Sequence, residues 1–195
     1  MDQDRALRQK QALRQRIGTL RNKLDPDDQE RMSSAIQRRL TTLPVWLDAT
    51  FICTFVGSKT GEVNTRGIIR SALDSGKKVC VPVIDKSTLQ LDLVELESDF
   101  RLVAGHFGIL EPSEGTPRRP DEIGWDLALV PGLAFGCDGG RIGFGKGYYD
   151  RLLAVRRAPR VALAFEFQVL DSVPSLPHDI PLDMLVTERR LIRCT

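Results

Sequence analysis

The 195-residue chain is long enough for one domain with a substantial core and short for two. Its net charge of +2 excludes a polycation, so any basic patch must be local. The four cysteines form no C-x-x-C pair, which argues against a cysteine-ligated zinc site or a disulfide framework. The N-terminus lacks an apolar signal segment, and no run approaches the roughly 20 apolar residues of a membrane span. We therefore expect a cytoplasmic protein with reduced thiols and no membrane partner.

The first two predicted helices carry contrasting sequence signals. Residues 4–24 show an apolar stripe with steps of four, three and four, which is typical of a helix. The stripe consists of Leu13, Ile17, Leu20 and Leu24. Seven basic residues surround it: Arg5, Arg8, Lys10, Arg14, Arg16, Arg21 and Lys23. Asp25 and Pro26 then provide an N-cap and a first-turn residue for a second helix that ends near Leu43.

Beyond residue 44, short β-branched and aromatic runs alternate with helical segments. Strands are predicted over residues 49–56, 77–84, 89–96, 125–135, 160–166 and 183–193, the last comprising one or two strands. Helices are predicted over residues 65–73, capped by Thr65, then 148–155 and 167–171, with a long loop over 105–124. This alternation predicts an α/β fold, a single three-layer domain over residues 1–195 with a largely parallel central sheet and helices on both faces. Ligands of such sheets bind at the carboxyl ends of the strands.

The segment GGRIGFGKGYYDRLL, residues 139–153, follows the most apolar predicted strand and contains five glycines within nine residues. It satisfies G-x-x-x-x-G-K, but Gly147 stands where a phosphate loop needs Ser or Thr for Mg²⁺. The dinucleotide pattern G-x-G-x-x-G fails at Tyr148. A G-x-G-x-G loop with Arg141 and Lys146 inside it, followed by Asp150, still suits phosphate oxygens and a metal. The alternative is a tight strand-to-helix turn whose charges are merely solvated.

The segment PGLAFGCDGGRIGFGKGYYDRLL, residues 131–153, resembles the signature of the 5-formyltetrahydrofolate cyclo-ligase family, also called 5,10-methenyltetrahydrofolate synthetases. The similarity extends along essentially the whole chain. It includes an N-terminal K-x-x-L-R at residues 10–14, GEVNT at 61–65, GILEP at 108–112 and PHDIPLD at 177–183. The resemblance implies an enzyme that uses ATP and Mg²⁺ to convert 5-formyltetrahydrofolate into 5,10-methenyltetrahydrofolate, ADP and phosphate, so its partners would be small-molecule substrates. We expect a monomer that binds no nucleic acid.

The resemblance also assigns roles to individual residues. Lys146 and Arg141 are the expected catalytic residues, with Lys146 near the transferred phosphate. Asp150 and Asp179 are the expected Mg²⁺ ligands, while Asp183 is either a further ligand or a turn residue. The expected ATP-binding residues are Lys10, Arg14, Arg141, Ile142, Gly143, Phe144, Gly145, Lys146, Gly147, Tyr148 and Tyr149. The expected folate-binding residues are Val56, Gly57, Glu62, Phe144 and Tyr148.

Several residues keep a second interpretation. A basic solvated helix face explains Arg5, Arg8, Arg16 and Lys23 without any ligand. The two histidines, His106 and His178, fit no triad or metal spacing, although His178 is placed beside Asp179 and could orient it.

Two other classes of function stay open from the residues alone. The basic first helix is compatible with a nucleotide- or RNA-binding protein on the same α/β scaffold, although the near-neutral net charge disfavours it. A sugar-phosphate or acyl-group enzyme is also compatible, because a fold does not determine a function.

Overall fold

A seven-stranded sheet forms the centre of the computed structural model, which describes residues 3–57, 59–85, 87–88, 90–105 and 110–195. In spatial order its strands are β12 (Leu191–Arg193), β11 (Met184–Val186), β9 (Arg160–Leu163), β6 (Leu127–Val130), β1 (Phe51–Cys53), β2 (Lys78–Asp85) and β3 (Gln90–Glu95). The five inner strands pair in parallel, and the two edge strands β12 and β3 pair antiparallel to their neighbours. The predicted largely parallel sheet is confirmed.

Helices cover both faces of this sheet. They are α1 (Gln3–Asn22), α2 (Pro26–Leu40), α3 (Pro44–Leu47), α4 (Arg66–Asp74) and α5 (Tyr148–Ala154). Successive strand side chains point to opposite faces, so the sheet contributes to two buried clusters. Leu129 packs in the cluster that contains residues of α2 and α4, whereas Ala128 packs in the cluster that contains Leu152 of α5. This arrangement confirms the predicted three-layer α/β architecture. Among the described residues, no helix has the length and apolar character to cross a membrane.

The buried face of α1 differs from the predicted apolar stripe. Its buried residues are Ala6, Lys10, Ile17 and Arg21. Leu20, predicted to lie in the stripe, is 43% exposed, so that part of the prediction is wrong. The reason is tertiary: the buried basic residues Lys10 and Arg21 find carboxylate partners in distant segments, at Asp179 and Glu62. Ile17 joins a small cluster with Ala134 and Ile142.

The start of α2 agrees with its predicted cap. The Asp25 carboxylate accepts hydrogen bonds from the backbone N–H groups of Asp27 and Asp28, at 2.8 and 3.4 Å. We expect Asp25→Ala to lower the free energy of unfolding by about 1 kcal/mol, because these N–H groups lose their partner. Urea denaturation would measure the change, with Asp25→Asn, which keeps a capping oxygen, as the matched control near wild type. Equal midpoints for the alanine and asparagine variants would contradict this role.

Other predicted boundaries need correction. The second helix ends at Leu40, and Pro44 starts the separate short helix α3. The predicted strand 125–135 is two strands, β6 and β7 (Ala134–Gly136), because Pro131 and Gly132 interrupt it. The predicted helix 167–171 is a 3₁₀ helix, Glu166–Gln168, followed by β10 (Val169–Leu170), which pairs with β7.

Two further strand pairs complete the fold. β7 pairs antiparallel with β8 (Arg141–Ile142), which lies inside the segment predicted as loop. The predicted loop 105–124 contains β5 (Leu110–Pro112), paired with β4 (Leu102–Ala104), and a 3₁₀ helix, Pro120–Glu122. His106 and the first two residues of the GILEP segment lie outside the described residues.

Thr65 stands at the predicted start of α4 but does not cap it. Its hydroxyl donates to the Phe55 carbonyl at 2.7 Å and accepts from the Gly57 N–H at 3.0 Å. The first turn is capped by Asn64, whose side-chain oxygen accepts from the Arg66 N–H at 3.1 Å. Thr65 therefore fastens the segment that leaves β1 to the start of α4.

Candidate active site

A cavity of about 460 Å³ lies at the carboxyl-terminal ends of the inner strands. Phe55 and Val56, which follow β1, and Pro131 and Gly132, which follow β6, contribute to its wall. Every residue predicted for catalysis, nucleotide, folate or metal lines this cavity except Gly57. The topology thus brings together residues 7–14 of α1, the segment after β1, the glycine-rich loop and the segment 176–179.

The glycine-rich segment serves two structural purposes. Gly139, with φ +84°, belongs to the tight β7–β8 hairpin and lies outside the cavity lining. The loop between β8 and α5 faces the cavity. There Gly145 has φ +92°, a conformation that a side chain disfavours. Gly143 has no such φ, but a Cβ on it would come within 2.9 Å of Arg141 Nη1. Close packing therefore explains the glycine at position 143, and backbone conformation explains the glycine at position 145.

Three basic residues form hydrogen bonds or ion pairs with this loop or with the segments beside it. Arg14 Nε donates to the Gly143 carbonyl at 2.9 Å, which links α1 directly to the loop. Arg141 is buried, and its Nη2 donates to Asp150 Oδ1 at 2.9 Å, whereas its Nε lacks a hydrogen-bond partner among the described residues. Lys10, also buried, forms an ion pair with Asp179. The predicted shared face of Lys10 and Arg14 is therefore directed at the cavity.

Lys146 differs from these residues because its side chain is exposed at the edge of the cavity. Ile142 is buried against Ile17, so it can offer a ligand little more than its backbone. Tyr149 packs against both main clusters, with its ring 5.6 Å from the Arg141 guanidinium carbon. Burial raises the pKa of Tyr149 well above its ordinary value, which keeps the phenol protonated.

The two predicted metal ligands are brought together although 29 positions separate them. Asp150 Oδ1 accepts from the Ile180 N–H at 3.3 Å, and Asp179 Oδ2 accepts from the Leu176 N–H at 2.7 Å. Among the described residues, no three or more His, Cys, Asp or Glu side chains lie close enough together to hold a metal ion by themselves. Mg²⁺ is commonly held by one or two carboxylates together with phosphate oxygens and water. A two-carboxylate donor set beside a basic loop fits that mode of binding.

The structure places two residues whose roles the sequence left open, His178 and Asp183. His178 is 73% exposed and its Nε2 lies 3.9 Å from Asp179 Oδ1, too far for a hydrogen bond that would orient the carboxylate. Lys10 and the Leu176 N–H orient Asp179 instead. Asp183 lies outside the cavity lining and accepts from the Arg160 N–H at 2.7 Å, so it is a structural residue.

The part of the cavity wall that contains Glu62 contacts Arg21 of α1 and Gln29 of α2. Glu62 Oε1 lies 3.8 Å from Arg21 Nη2. The backbone of the loop is held by Gln29, whose side chain donates to the Glu62 carbonyl at 2.7 Å and accepts from the Gly61 N–H at 3.1 Å. Gly57 lies behind the wall and borders a second, more open cavity. A Cβ on Gly57 would lie 2.0 Å from the Val63 carbonyl oxygen, so packing explains this glycine.

Sequence reasoning missed several residues that shape the site. Arg21 is the most informative, because Lys10, Arg14, Ile17 and Arg21 follow steps of four, three and four and could have been recognised as one face. Lys59 was also missed: its Nζ lies 4.2 Å from the centre of the Phe144 ring. The apolar wall includes Pro82, Ile84 and Leu91, which carry no local signal of a site.

Comparison with known proteins agrees with this arrangement. Residues 6–188 match the model of the 5-formyltetrahydrofolate cyclo-ligase family. A 5-formyltetrahydrofolate cyclo-ligase of Mycolicibacterium smegmatis is 34% identical over 148 residues, which cover 71% of this chain and 74% of that protein. A probable 5-formyltetrahydrofolate cyclo-ligase of Caenorhabditis elegans is 29% identical and is covered over 94% of both chains.

A solved structure gives the same result for the fold. The 5,10-methenyltetrahydrofolate synthetase of Aquifex aeolicus is 34% identical and superimposes with a TM-score of 0.81, covering 94% of this chain and 92% of that one. The family match spans nearly all of the described site, from Lys10 to Asp179. This chain belongs to the 5-formyltetrahydrofolate cyclo-ligase family.

Proposed function

We propose that this protein converts 5-formyltetrahydrofolate into 5,10-methenyltetrahydrofolate at the expense of ATP, with Mg²⁺ as cofactor. One observation carries the proposal: a single cavity is lined by a basic glycine-rich loop, by the carboxylates of Asp150 and Asp179, and by a further carboxylate at Glu62. The first two features suit a metal-bound triphosphate. The third suits a pterin, which offers paired N–H donors to a carboxylate.

The ATP half-site consists of the loop from Arg141 to Tyr149 together with Lys10 and Arg14. Both buried cations already have carboxylate partners, Lys10 with Asp179 and Arg141 with Asp150. A bound Mg²⁺–triphosphate would replace these pairs: the carboxylates would turn to the metal and the cations to phosphate oxygens. Such an exchange avoids leaving a buried charge unpaired.

Mg²⁺ would be held by Asp150 and Asp179 and would neutralise charge on the phosphates. The folate half-site contains Glu62 and Val56, with Phe144 and Tyr148 at the boundary between the two ligands. Phe144 is 53% exposed and faces Lys59, so its ring is available to enclose a planar ligand. Gly57 acts here through packing of the wall.

The chemistry follows from the poor leaving ability of a formamide oxygen. The formyl oxygen attacks the γ-phosphorus of ATP and ADP departs, which converts that oxygen into a phosphate ester. N10 then attacks the activated carbon, loses its proton, and the carbon–oxygen bond breaks to release phosphate. Lys146 and Arg141 neutralise charge on the transferred group, because phosphoryl transfer depends on positioning and electrostatic stabilisation.

A spectrophotometric assay tests the proposal directly. The methenyl bridge conjugates N5 with N10, so product formation should appear as new absorbance when the purified protein meets 5-formyltetrahydrofolate and MgATP. We expect no product when ATP or Mg²⁺ is omitted. Absence of product with all components, combined with ATP or RNA binding, would instead indicate a binding protein on this scaffold.

Asp150→Asn is expected to raise the Mg²⁺ concentration for half-maximal activity, because a neutral amide binds Mg²⁺ more weakly than a carboxylate. The asparagine oxygen can still accept from Arg141 Nη2, which limits the structural consequence. Asp48→Asn removes an equal charge from an exposed position outside the cavity and is the control. A Mg²⁺ titration that is identical for both variants would contradict the role of Asp150.

A further inference from the structure

Arg21 is a buried cation with an unsatisfied N–H group, and the proposed reaction does not use it. It is only 3% exposed, and desolvation lowers its pKa despite the opposing effect of Glu62. Its Nη2 donates to the Thr60 carbonyl at 3.3 Å, while its Nη1 is buried without a hydrogen-bond partner among the described residues. A buried N–H without a partner destabilises a fold, and an apolar side chain of similar volume would avoid that cost.

The surroundings of Arg21 connect the two halves of the cavity. Its guanidinium lies 3.8 Å from the Glu62 carboxylate and its central carbon lies 5.9 Å from the centre of the Phe144 ring. The loop that carries Glu62 packs directly on the Arg21 backbone, since a Cβ on Gly61 would lie 2.5 Å from the Arg21 carbonyl oxygen. Arg21 does not itself line the cavity, so it acts through these neighbours.

We propose that Arg21 is a positioning residue for the folate: its buried positive charge attracts the Glu62 carboxylate across 3.8 Å, and its guanidinium lies beside the Phe144 ring, in the arrangement that receives the pterin. The inference rests on the proposed function, because Glu62 must be the folate carboxylate. A planar guanidinium suits this task, since it can face a carboxylate with its edge and a ring with its plane. The structural cost of burying Arg21 is then offset by pre-organisation of the substrate site.

Steady-state kinetics with each substrate varied separately tests the inference. We expect Arg21→Met to raise the KM for 5-formyltetrahydrofolate by about tenfold, the scale of one lost charge-assisted contact, with the KM for ATP within about twofold of wild type. Removal of the unsatisfied N–H favours the variant, whereas loss of the positive charge beside the Glu62 carboxylate disfavours it, so we expect little change in thermal stability. Arg16→Met removes an exposed charge from the same helix and should change neither KM.

A double-mutant cycle separates positioning from a general structural effect. In a Glu62→Gln background, Arg21→Met should raise the folate KM by less than about twofold, because residues that act through one contact are not additive. Additive effects, or equal loss of affinity for ATP and folate, would overturn the inference. Arg21→Lys keeps the charge and should restore part of the folate affinity. Lysine and methionine variants with the same folate KM would also overturn it.

Failure of the inference can be distinguished from failure of the proposed function. If Glu62→Gln weakens folate binding but Arg21→Met does not, Arg21 has no positioning role and the folate site stands. If Glu62→Gln leaves the folate KM unchanged, Glu62 is not the folate carboxylate, and the inference falls with that assignment. Isothermal titration with 5-formyltetrahydrofolate in the absence of ATP gives the same comparison without turnover.

Discussion

Lys146→Ala is expected to reduce turnover by on the order of 10²–10³, the usual effect of removing a donor directed at developing charge. The Lys146 side chain is exposed and has no hydrogen bond or ion pair within the described part of the chain; its backbone carbonyl accepts from Arg151 at 3.2 Å. The substitution removes neither core volume nor that backbone contact. The free energy of unfolding should therefore change by less than about 0.5 kcal/mol.

Initial rates at saturating and limiting ATP distinguish the possible roles of Lys146. A fall in kcat shows that the ammonium group stabilises the transition state more than the ground state, whereas a higher KM for ATP with unchanged kcat shows that it binds both states equally. Lys23→Ala, at an exposed position directly after α1 and outside the cavity, is the control for loss of one positive charge. Wild-type rates for Lys146→Ala under both conditions would show that Lys146 is a solvated surface residue.

Gly145→Ala is expected to lower turnover by on the order of 10–10², because small misplacements of binding groups can cost that much. The reason is local. The new Cβ would lie 3.3 Å from the Arg14 guanidinium, and Arg14 supports the loop through the Gly143 carbonyl. The φ of +92° is also unfavourable for alanine, so we expect the free energy of unfolding to fall by about 1–2 kcal/mol. Affinity for a non-hydrolysable ATP analogue should fall at least as much as affinity for folate.

Gly76→Ala provides a matched control for the backbone effect. Gly76 has φ +77°, and an added Cβ would meet no atom within 4 Å. The control should lose a similar amount of stability and keep full activity, since Gly76 follows α4 outside the cavity lining. Calorimetry with the ATP analogue distinguishes a role of Gly145 in ATP binding from a purely structural role. Normal affinity in the folded Gly145→Ala protein would show that its glycines only shape a turn.

Local sequence signals were sufficient where the cause of the structure is itself local. Asp25 and Pro26 predicted the start of α2 because a cap satisfies N–H groups one turn away. The alternation of apolar strands with helices predicted the parallel sheet, because buried strands and covering helices have different periods. The spacing of Gly143, Gly145 and Lys146 predicted a basic loop before α5, and these residues line the cavity.

Long-range contacts decided the features that sequence reasoning placed wrongly or missed. Leu20 is exposed and Arg21 buried because α1 packs against β7, β8 and the Glu62 loop, and helical periodicity alone cannot choose between two overlapping faces. The Thr65 hydroxyl does not cap α4, because it forms hydrogen bonds with the backbone of Phe55 and Gly57 in the segment after β1. The pairing of Lys10 with Asp179 joins residues 169 positions apart. Such contacts depend on how distant elements converge on the sheet, which composition and spacing do not encode locally.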